Sequence, residues 1–163
     1  MTGSSDSIES FEKADFPAEG RLLGLDFGTK RVGVAVSDDR QSIAGPLETI
    51  VRHGPQEDAR RLAAVVAAHQ VRGIVVGLPV HMSGEEGGQA REARAFGEWV
   101  AQVTKLPVKY WDERHSSAIA EAHLLAAELS SKKRKARLDK VAAQIFLQSF
   151  LDAKDRDLPP QPM

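Results

Sequence analysis

The run Gly73–Leu78 (GIVVGL) is short and continuously apolar, which is typical of a strand buried on both of its faces. Such a strand requires helices packed on either side of its sheet. Helical patterns flank the run in the sequence, at Pro55–His69 before it and around Gln89–Val103 after it. These patterns predict an α/β fold.

Four more β-compatible runs complete the predicted sheet. Arg21–Phe27 and Arg31–Ser37 stand on either side of a glycine turn and predict a hairpin. A third strand is expected at Leu47–Arg52, beginning after Pro46, and a last one at Pro107–Glu113. An antiparallel opening followed by βαβα crossovers implies a mixed central sheet of five strands with helices on both faces.

The last third of the chain predicts two helices, Ser116–Leu129 and Leu138–Lys154, separated by the basic loop Ser130–Arg137. A helical wheel gives the second of these helices a core stripe with two phenylalanines on its flank: Leu138, Val141, Ala142, Ile145 and Ser149, flanked by Phe146 and Phe150. Asp139 opens this helix and faces inward at the edge of its buried surface.

With 163 residues the chain fits one domain, predicted over 21–154. The composition of residues 1–20 predicts a flexible acidic arm, and that of residues 155–163 predicts a flexible tail rich in proline. Residues 1–20 carry five acids and one base, and 152–163 three acids and two bases, which leaves the body with a net charge of +4.

The absence of cysteine excludes thiol catalysis and disulfides. With no secretory signal or membrane-spanning run, a cytoplasmic protein without a membrane partner is expected.

Asp26 is a charged residue at the end of an apolar strand. Alternation places it on one face with Gly24, and we expect Gly33 and Ala35 of the next strand to share that face. A carboxylate there disfavours folding unless it is paired or bound to a metal, and small neighbours leave room for a ligand or a closely packed helix. The alternative is that Asp26 caps the following turn.

Two further acidic positions stand at the ends of predicted elements. Asp112 and Glu113 close the fifth strand, at the carboxyl edge of the sheet where ligands bind in α/β proteins. Adjacent strand residues point to opposite faces, so one of the two is expected to enter the site. Instead of entering the site, Asp112 or Glu113 could form an ion pair with Arg114 or cap the following helix. For Asp139 the alternative is a favourable interaction with the helix dipole.

Converging carboxylates repel one another and require a cation. An all-oxygen site suits Mg²⁺ or Mn²⁺, and two such ions assist phosphodiester hydrolysis by activating a water and stabilising the leaving oxygen. The five histidines show no zinc-like pairing.

Basic residues surround the predicted acids. Lys30 and Arg31 follow Asp26 at the hairpin and are expected to contact phosphate, as is Arg114. The basic loop contributes five more candidate nucleic-acid contacts: Lys132, Lys133, Arg134, Lys135 and Arg137. For Arg114 the alternative is that it orients Glu113, and for the other cations it is simple solvent exposure. Tyr110 and Trp111 adjoin the acids, and core packing is favoured over base stacking for both.

The segments GLDFGTKRVGVAVSD (24–38), GLPVHMSG (77–84), DERHSS (112–117) and LDKVAAQIFLQSFLD (138–152) together resemble the YqgF family, also called RuvX, over about 21–152. The resemblance implies a ribonuclease-H-like fold and a metal-dependent nuclease that matures the 5′ end of 16S rRNA. Asp26, Glu113 and Asp139 match the catalytic, metal-binding acids of the family, with Asp112 as a further candidate ligand. Ser83 and His115 depart from the family pattern, which affects substrate contacts rather than metal ligands.

Three alternative functions remain open from the sequence. The family also resembles Holliday-junction resolvases, so branched DNA is a second substrate class, and either a monomer or a homodimer is compatible with the chain. The segment DFGTK resembles the phosphate loop of sugar kinases, but those enzymes close two such domains around ATP and this chain supplies one. A non-catalytic nucleic-acid-binding module is disfavoured because all three acidic positions are retained.

Overall fold

A computed structural model describes residues 16–78, 87–112 and 132–157. Residues 132–136 are described by their backbone alone. The strands are β1 (Leu22–Asp26), β2 (Arg31–Ser37), β3 (Ala44–Val51), β4 (Gly73–Leu78) and β5 (Val108–Asp112). The helices are α1 (Pro55–His69), α2 (Gly88–Thr104) and α3 (Lys132–Asp152). The predicted helix Ser116–Leu129 lies outside the described residues.

The five strands form one mixed sheet in the order β3-β2-β1-β4-β5. β1 pairs antiparallel with β2 and parallel with β4, while β5 pairs parallel with β4. The predicted five-stranded mixed sheet is therefore confirmed. All six residues of β4 are buried, as their continuous apolarity predicts.

Helices cover both faces of the sheet. One face, here called the α3 face, packs its side chains against α3 in a cluster that includes Leu22, Val75, Trp111 and Phe146. The other, here called the α1/α2 face, includes Leu23, Leu25, Val76, Leu62 and Phe96. Successive residues of each strand alternate between these clusters, so the two faces of each strand can be assigned from the pairing register.

β3 begins three residues earlier than the sequence predicts. Pro46 lies inside the strand, opposite Ala35, while Glu48 lies opposite Val34, so that Leu47 is the extra residue of a bulge. Proline is tolerated there because β3 is an edge strand and a bulge needs no continuous ladder of hydrogen bonds. The proline therefore does not mark the start of the strand.

The start of α3 corrects a second prediction. The segment 132–137, expected to be part of a basic loop, is helical, and Asp139 lies in the third turn instead of opening the helix. Lysine and arginine are good helix formers, and the segment continues a helix that is anchored further along by packing.

The buried face of α3 is also rotated from the predicted one. The buried residues are Ala142, Ala143, Phe146, Leu147, Phe150 and Leu151. Leu138, Val141, Ile145 and Ser149, four members of the predicted stripe, are only partly buried. Apolar residues surround much of this helix, and the two phenylalanines have the most area to bury, so they take the centre of the interface.

Both predicted terminal segments include residues that dock on the body. The Gln41 side-chain amide donates to the carbonyl oxygens of Pro17 and Gly20, and Phe16 meets Phe150 edge to face. Arg156 donates to Gln41 Oε1. Phe16, Pro17 and Gly20 near one end of the described chain and Arg156 near the other thus contact the body. No helix in this described part of the chain is long and apolar enough to cross a membrane.

Candidate active site

Asp26 is the last residue of β1 and is partly buried. In the antiparallel ladder with β2 it lies directly opposite Gly33, while Gly24 lies opposite Ala35. Directly opposed residues share a face, so the predicted grouping of Asp26 with these small residues is confirmed. The grouping belongs to the α3 face, because Ala35 packs in that cluster.

The small residues let α3 approach the sheet very closely. A Cβ atom built on Gly33 would overlap the carbonyl group of Asp139 and come within 3.0 Å of the Lys140 amide nitrogen. One built on Gly24 would lie 3.0 Å from Leu147 Cβ. The backbone of Asp139 therefore rests on Gly33, one strand spacing (about 5 Å) from Asp26. The backbone of Asp139, distant in sequence, thus lies over the strand position beside Asp26, at one corner of the sheet.

Arg31 makes a short ion pair with Asp139 at this corner. Its Nε donates to Asp139 Oδ2 at 2.6 Å, and both side chains are about three-quarters buried, with 25% and 22% of their surfaces exposed. Arg31 lies two residues before Gly33 on the same strand and therefore on the same face. One of the predicted phosphate contacts thus holds one of the predicted metal ligands.

Asp112 lies on the opposite face of the sheet from Asp26. It pairs in register with Leu78, which packs with Ala90 and Ala93 of α2, and it is 3% exposed. The structure therefore does not bring Asp112 together with Asp26 and Asp139. Glu113, the next residue, and Arg114 lie outside the described residues.

The two aromatic residues of β5 are engaged in packing. Trp111 meets Phe150 edge to face, with ring centroids 5.4 Å apart, and its indole nitrogen donates to Ser149 Oγ. The Tyr110 hydroxyl donates to the Arg94 carbonyl oxygen. This agrees with the core-packing interpretation of both residues.

Those predicted nucleic-acid contacts that belong to the described residues lie on the elements that form this corner, the β1–β2 turn, β2 and α3. Lys30 is exposed in the turn between Asp26 and Arg31. Arg137 is exposed on α3, two residues before Asp139. Lys132, Lys133, Arg134 and Lys135 belong to the first turn of α3, upstream of Asp139 on the same helix.

Arg52 contacts the turn between β1 and β2, a role that was not predicted from the sequence. Its guanidinium lies 5.3 Å from the ring centroid of Phe27 and 3.6 Å from an Asp58 carboxylate oxygen, and it donates to the Gly28 carbonyl oxygen. Its backbone amide also donates to the Lys30 carbonyl oxygen. The sequence did contain a signal for this contact: an arginine at the end of a strand stands a few residues before the acidic first turn of α1, where Asp58 lies.

The donor chemistry at the corner fits a hard divalent cation. Asp26 and Asp139 present carboxylate oxygens, and Gly33 adds no side chain between them. Within residues 16–78, 87–112 and 132–157, no group of three or more acidic, histidine or cysteine side chains could by itself hold a metal ion. Asp26 and Asp139 are the two predicted ligands that belong to the described part of the chain, and the third, Glu113, lies outside it.

The sequence model of the RuvX family, described as Holliday junction resolvase, matches residues 20–153. A protein of Cereibacter sphaeroides named "Putative pre-16S rRNA nuclease" is 49% identical over 150 residues, which cover 92% of this chain and 93% of the relative. One of the same name from Rhodobacter capsulatus is 48% identical over 139 residues, covering 85% of this chain and 87% of the relative.

Among solved structures, Thermus thermophilus RuvC in complex with a Holliday junction superposes with a TM-score of 0.53 at 15% identity. The match covers 86% of this chain and 99% of RuvC. This similarity supports the predicted ribonuclease-H-like fold.

Proposed function

The chain belongs to the RuvX family, and from that premise we propose that it is a nuclease that hydrolyses phosphodiester bonds during 5′-end processing of pre-16S rRNA in the cytoplasm. Relatives that share nearly half of its residues over almost their whole length carry the pre-16S rRNA nuclease name. The observation that carries the chemistry is the close packing of the Asp139 backbone on Gly33, the residue that lies opposite Asp26 at the end of β1.

Asp26, Asp139 and Glu113 are the proposed metal ligands and catalytic acids. Glu113 is preferred to Asp112 because Asp112 lies on the α1/α2 face, paired with Leu78, while the next residue along a strand has the opposite direction. A pair of divalent ions such as Mg²⁺ or Mn²⁺ supplies, when bound, Lewis-acid assistance to hydrolysis. β1 positions the Asp26 backbone and the packing of α3 on Gly33 positions the Asp139 backbone, so that these two residues are expected to need little reorganisation when substrate binds.

Cations beside the acids supply the proposed nucleic-acid contacts. Lys30 is exposed next to Asp26, Arg31 and Arg114 adjoin the acids, and the first turns of α3 carry Lys132, Lys133, Arg134, Lys135 and Arg137. Such contacts give affinity without sequence selectivity and make binding sensitive to salt.

Replacing Arg134 and Arg137 with glutamine is expected to weaken RNA binding and to reduce the slope of log affinity against log salt by about 1–2, because each lost phosphate contact contributes about 0.7–0.9. Fluorescence anisotropy at several salt concentrations measures both quantities. The matched control replaces Arg60 and Arg91, two exposed arginines of α1 and α2 on the other side of the sheet. Equal effects of the two double substitutions would contradict the proposed binding surface.

The Asp26→Asn substitution tests the nuclease proposal directly. Asparagine has nearly the same shape, and Asp26 is only partly buried, so the fold should persist while metal-dependent cleavage is lost. Wild type and variant are compared on matched single-stranded RNA, duplex RNA and four-way DNA junctions with Mg²⁺ or Mn²⁺. Asp39→Asn, an exposed carboxylate beyond the far end of β2, serves as the control and should cleave normally.

RNA cuts that disappear in Asp26→Asn support the proposal. Retained cleavage in that variant would refute the assignment of Asp26. If wild type itself cuts none of the substrates, a nucleic-acid-binding module would be favoured instead.

Branched DNA is the second candidate substrate. It is favoured by the description of the family model as Holliday junction resolvase and by the RuvC-like fold. Resolvases make paired symmetric cuts as dimers, so this function requires a homodimer, whereas RNA processing is compatible with a monomer. Paired cuts in the four-way junction, together with a dimeric mass by light scattering, would select this alternative.

A further inference from the structure

The ion pair between Arg31 and Asp139 engages a carboxylate that the proposed function assigns to a metal ion. We infer that Arg31 competes with the divalent ions for the Asp139 carboxylate, and that ion binding frees its guanidinium for a phosphate of the nucleic acid. The inference rests on the proposed metal site. It makes Arg31 a positioning residue whose contacts couple metal binding to substrate binding.

The first step is the geometry of the pair. Arg31 Nε lies 2.6 Å from Asp139 Oδ2, a strong charge-assisted hydrogen bond, in a place where three-quarters of each side chain is buried. Arginine stays charged at every accessible pH, so the guanidinium cannot avoid repulsion by losing its proton. A divalent ion on the same carboxylate would have this positive charge within a few ångströms.

The second step is which partner can move. The Asp139 backbone is packed against Gly33 so closely that no Cβ fits between them, and the short aspartate side chain extends from this fixed backbone. Arg31 has a long flexible side chain, one quarter of its surface is already exposed, and it adjoins the exposed turn that contains Lys30. The guanidinium is therefore the group that gives way when an ion binds.

The third step is where the displaced group goes. The guanidinium carries a fork of donors that matches two phosphate oxygens, and Arg31 lies two residues from Gly33, which pairs with Asp26. Contact with a substrate phosphate would remove the positive charge from beside the ions and neutralise it elsewhere. Metal and nucleic acid are thus expected to strengthen each other's binding, an effect that is reciprocal by linkage.

The test is the affinity for Mn²⁺ in the absence of nucleic acid, measured by isothermal titration calorimetry on the full chain. Arg31→Gln is expected to bind Mn²⁺ about tenfold more tightly than wild type, because a repulsion of one charge on two at about 5 Å is worth about that much even in a water-like dielectric. Arg21→Gln is the matched control: Arg21 pairs with Asp39 at the other end of β1, about 17 Å of strand away, and its removal should leave the affinity unchanged.

The contrary result is equally clear. Equal or weaker Mn²⁺ binding in Arg31→Gln would show that Arg31 merely orients Asp139, and it would overturn the inference while leaving the proposed function intact. If wild type shows no Mn²⁺ binding that depends on Asp26, the proposed metal site fails and the inference fails with it. Measuring Asp26→Asn in the same series separates these two cases.

A second measurement does not depend on the stability of Arg31→Gln. In ¹⁵N-labelled wild type, the Arg31 Nε–H resonance, identified by its absence from Arg31→Lys, should be protected from solvent exchange by its bond to Asp139. Addition of Mg²⁺ should accelerate that exchange, and further addition of a short single-stranded RNA should slow it again. Protection that persists unchanged in saturating Mg²⁺ would overturn the inference.

Discussion

Gly33 decides how closely the backbone of Asp139 approaches the strand position beside Asp26. Every other amino acid would place a Cβ in the carbonyl group of Asp139, which belongs to the backbone and has no rotamer by which to escape. The position of Asp139 over β2 thus depends on a missing side chain on the neighbouring strand. The glycine acts here through space and not through backbone flexibility.

Gly33→Ala is expected to destabilise the protein by about 3 kcal/mol, near the upper end of the usual cost of overpacking, because the backbone of α3 must shift. It should also reduce cleavage, since Asp139 moves with the helix. Gly45→Ala is the matched control in β3, where a Cβ meets nothing within 4 Å, and should change stability by less than about 0.5 kcal/mol. Urea unfolding of both variants checks the difference, and equal midpoints would contradict the packing argument.

For individual residues, the sequence predicted which side chains share a face of the sheet, because this follows from strand alternation. Asp26, Gly33 and Ala35 were assigned to one face because a strand has a period of two, and the pairing register agrees. The pair between Arg31 and Asp139 was not predicted, because 108 residues separate the partners and only the packing of α3 on the sheet brings them together. A sequence pattern contains no information on such contacts unless the docking of the elements is already known.

Among the elements, α1, β2 and β4 were predicted with their observed bounds, because in each the apolar period and the flanking turn signals agree. α3 was predicted with the wrong start and the wrong buried face. Its first six residues, KKRKAR, have no apolar period, so the pattern gave no helical signal although the residues favour a helix. The difference matters for function, since it makes the cations part of the helix that carries Asp139.

The turn joining β2 to β3 is organised by one carboxylate. Asp38 accepts hydrogen bonds from the Ser42 amide, the Ser42 hydroxyl and the Ile43 amide. These bonds, that of Ile43 first among them, lower the pKa of Asp38 from 3.8 to about 2. Hydrogen bonds to the ionised form account for the lowering, because the group is exposed to solvent.

The lowered pKa of Asp38 predicts a pH-dependent contribution to stability. The contribution is fully present above the unfolded-state pKa near 4 and is lost as the pH falls towards 2, because the protonated carboxyl no longer accepts these bonds. Asp38→Ala should therefore lower the Tm at pH 7, and its difference from wild type should narrow between pH 4 and pH 2. Thermal melts at matched ionic strength check this. A Tm difference that stays constant over that interval would contradict it.

At the scale of the whole molecule, both ends of the described chain meet beside the β2–β3 turn. Lys109 of β5 pairs with Asp157, and its ammonium nitrogen lies 5.3 Å from the ring centroid of Phe16. Arg156 stacks over Phe150, with its guanidinium carbon 5.0 Å from the ring centroid. The composition of these segments predicted flexible ends, since the anchoring contacts come from residues far away in the sequence. This end of the molecule is opposite the corner that holds Asp26.

Gln41 connects the two ends to the body. It is 3% exposed, and its side chain donates to the Pro17 and Gly20 carbonyl oxygens while accepting from Arg156. Its backbone has a φ of 55°, in the left-handed region. Three hydrogen bonds thus depend on a residue whose conformation is itself unfavourable, by about 1 kcal/mol, for any side chain but glycine.

Gln41→Ala is expected to destabilise the protein by about 2–3 kcal/mol, because it removes three partly buried hydrogen bonds at about 1 kcal/mol each. Gln41→Gly loses the same bonds but relieves the left-handed backbone, so it should be about 1 kcal/mol more stable than Gln41→Ala. In both variants the Gly20 amide, which donates to Asp39, should exchange faster with solvent than in wild type. Urea unfolding and hydrogen exchange measure these effects. Wild-type protection of Gly20 in both variants would mean that the ends are held without Gln41, whereas lost protection with unchanged Asp26-dependent cleavage would show that this anchor serves stability alone.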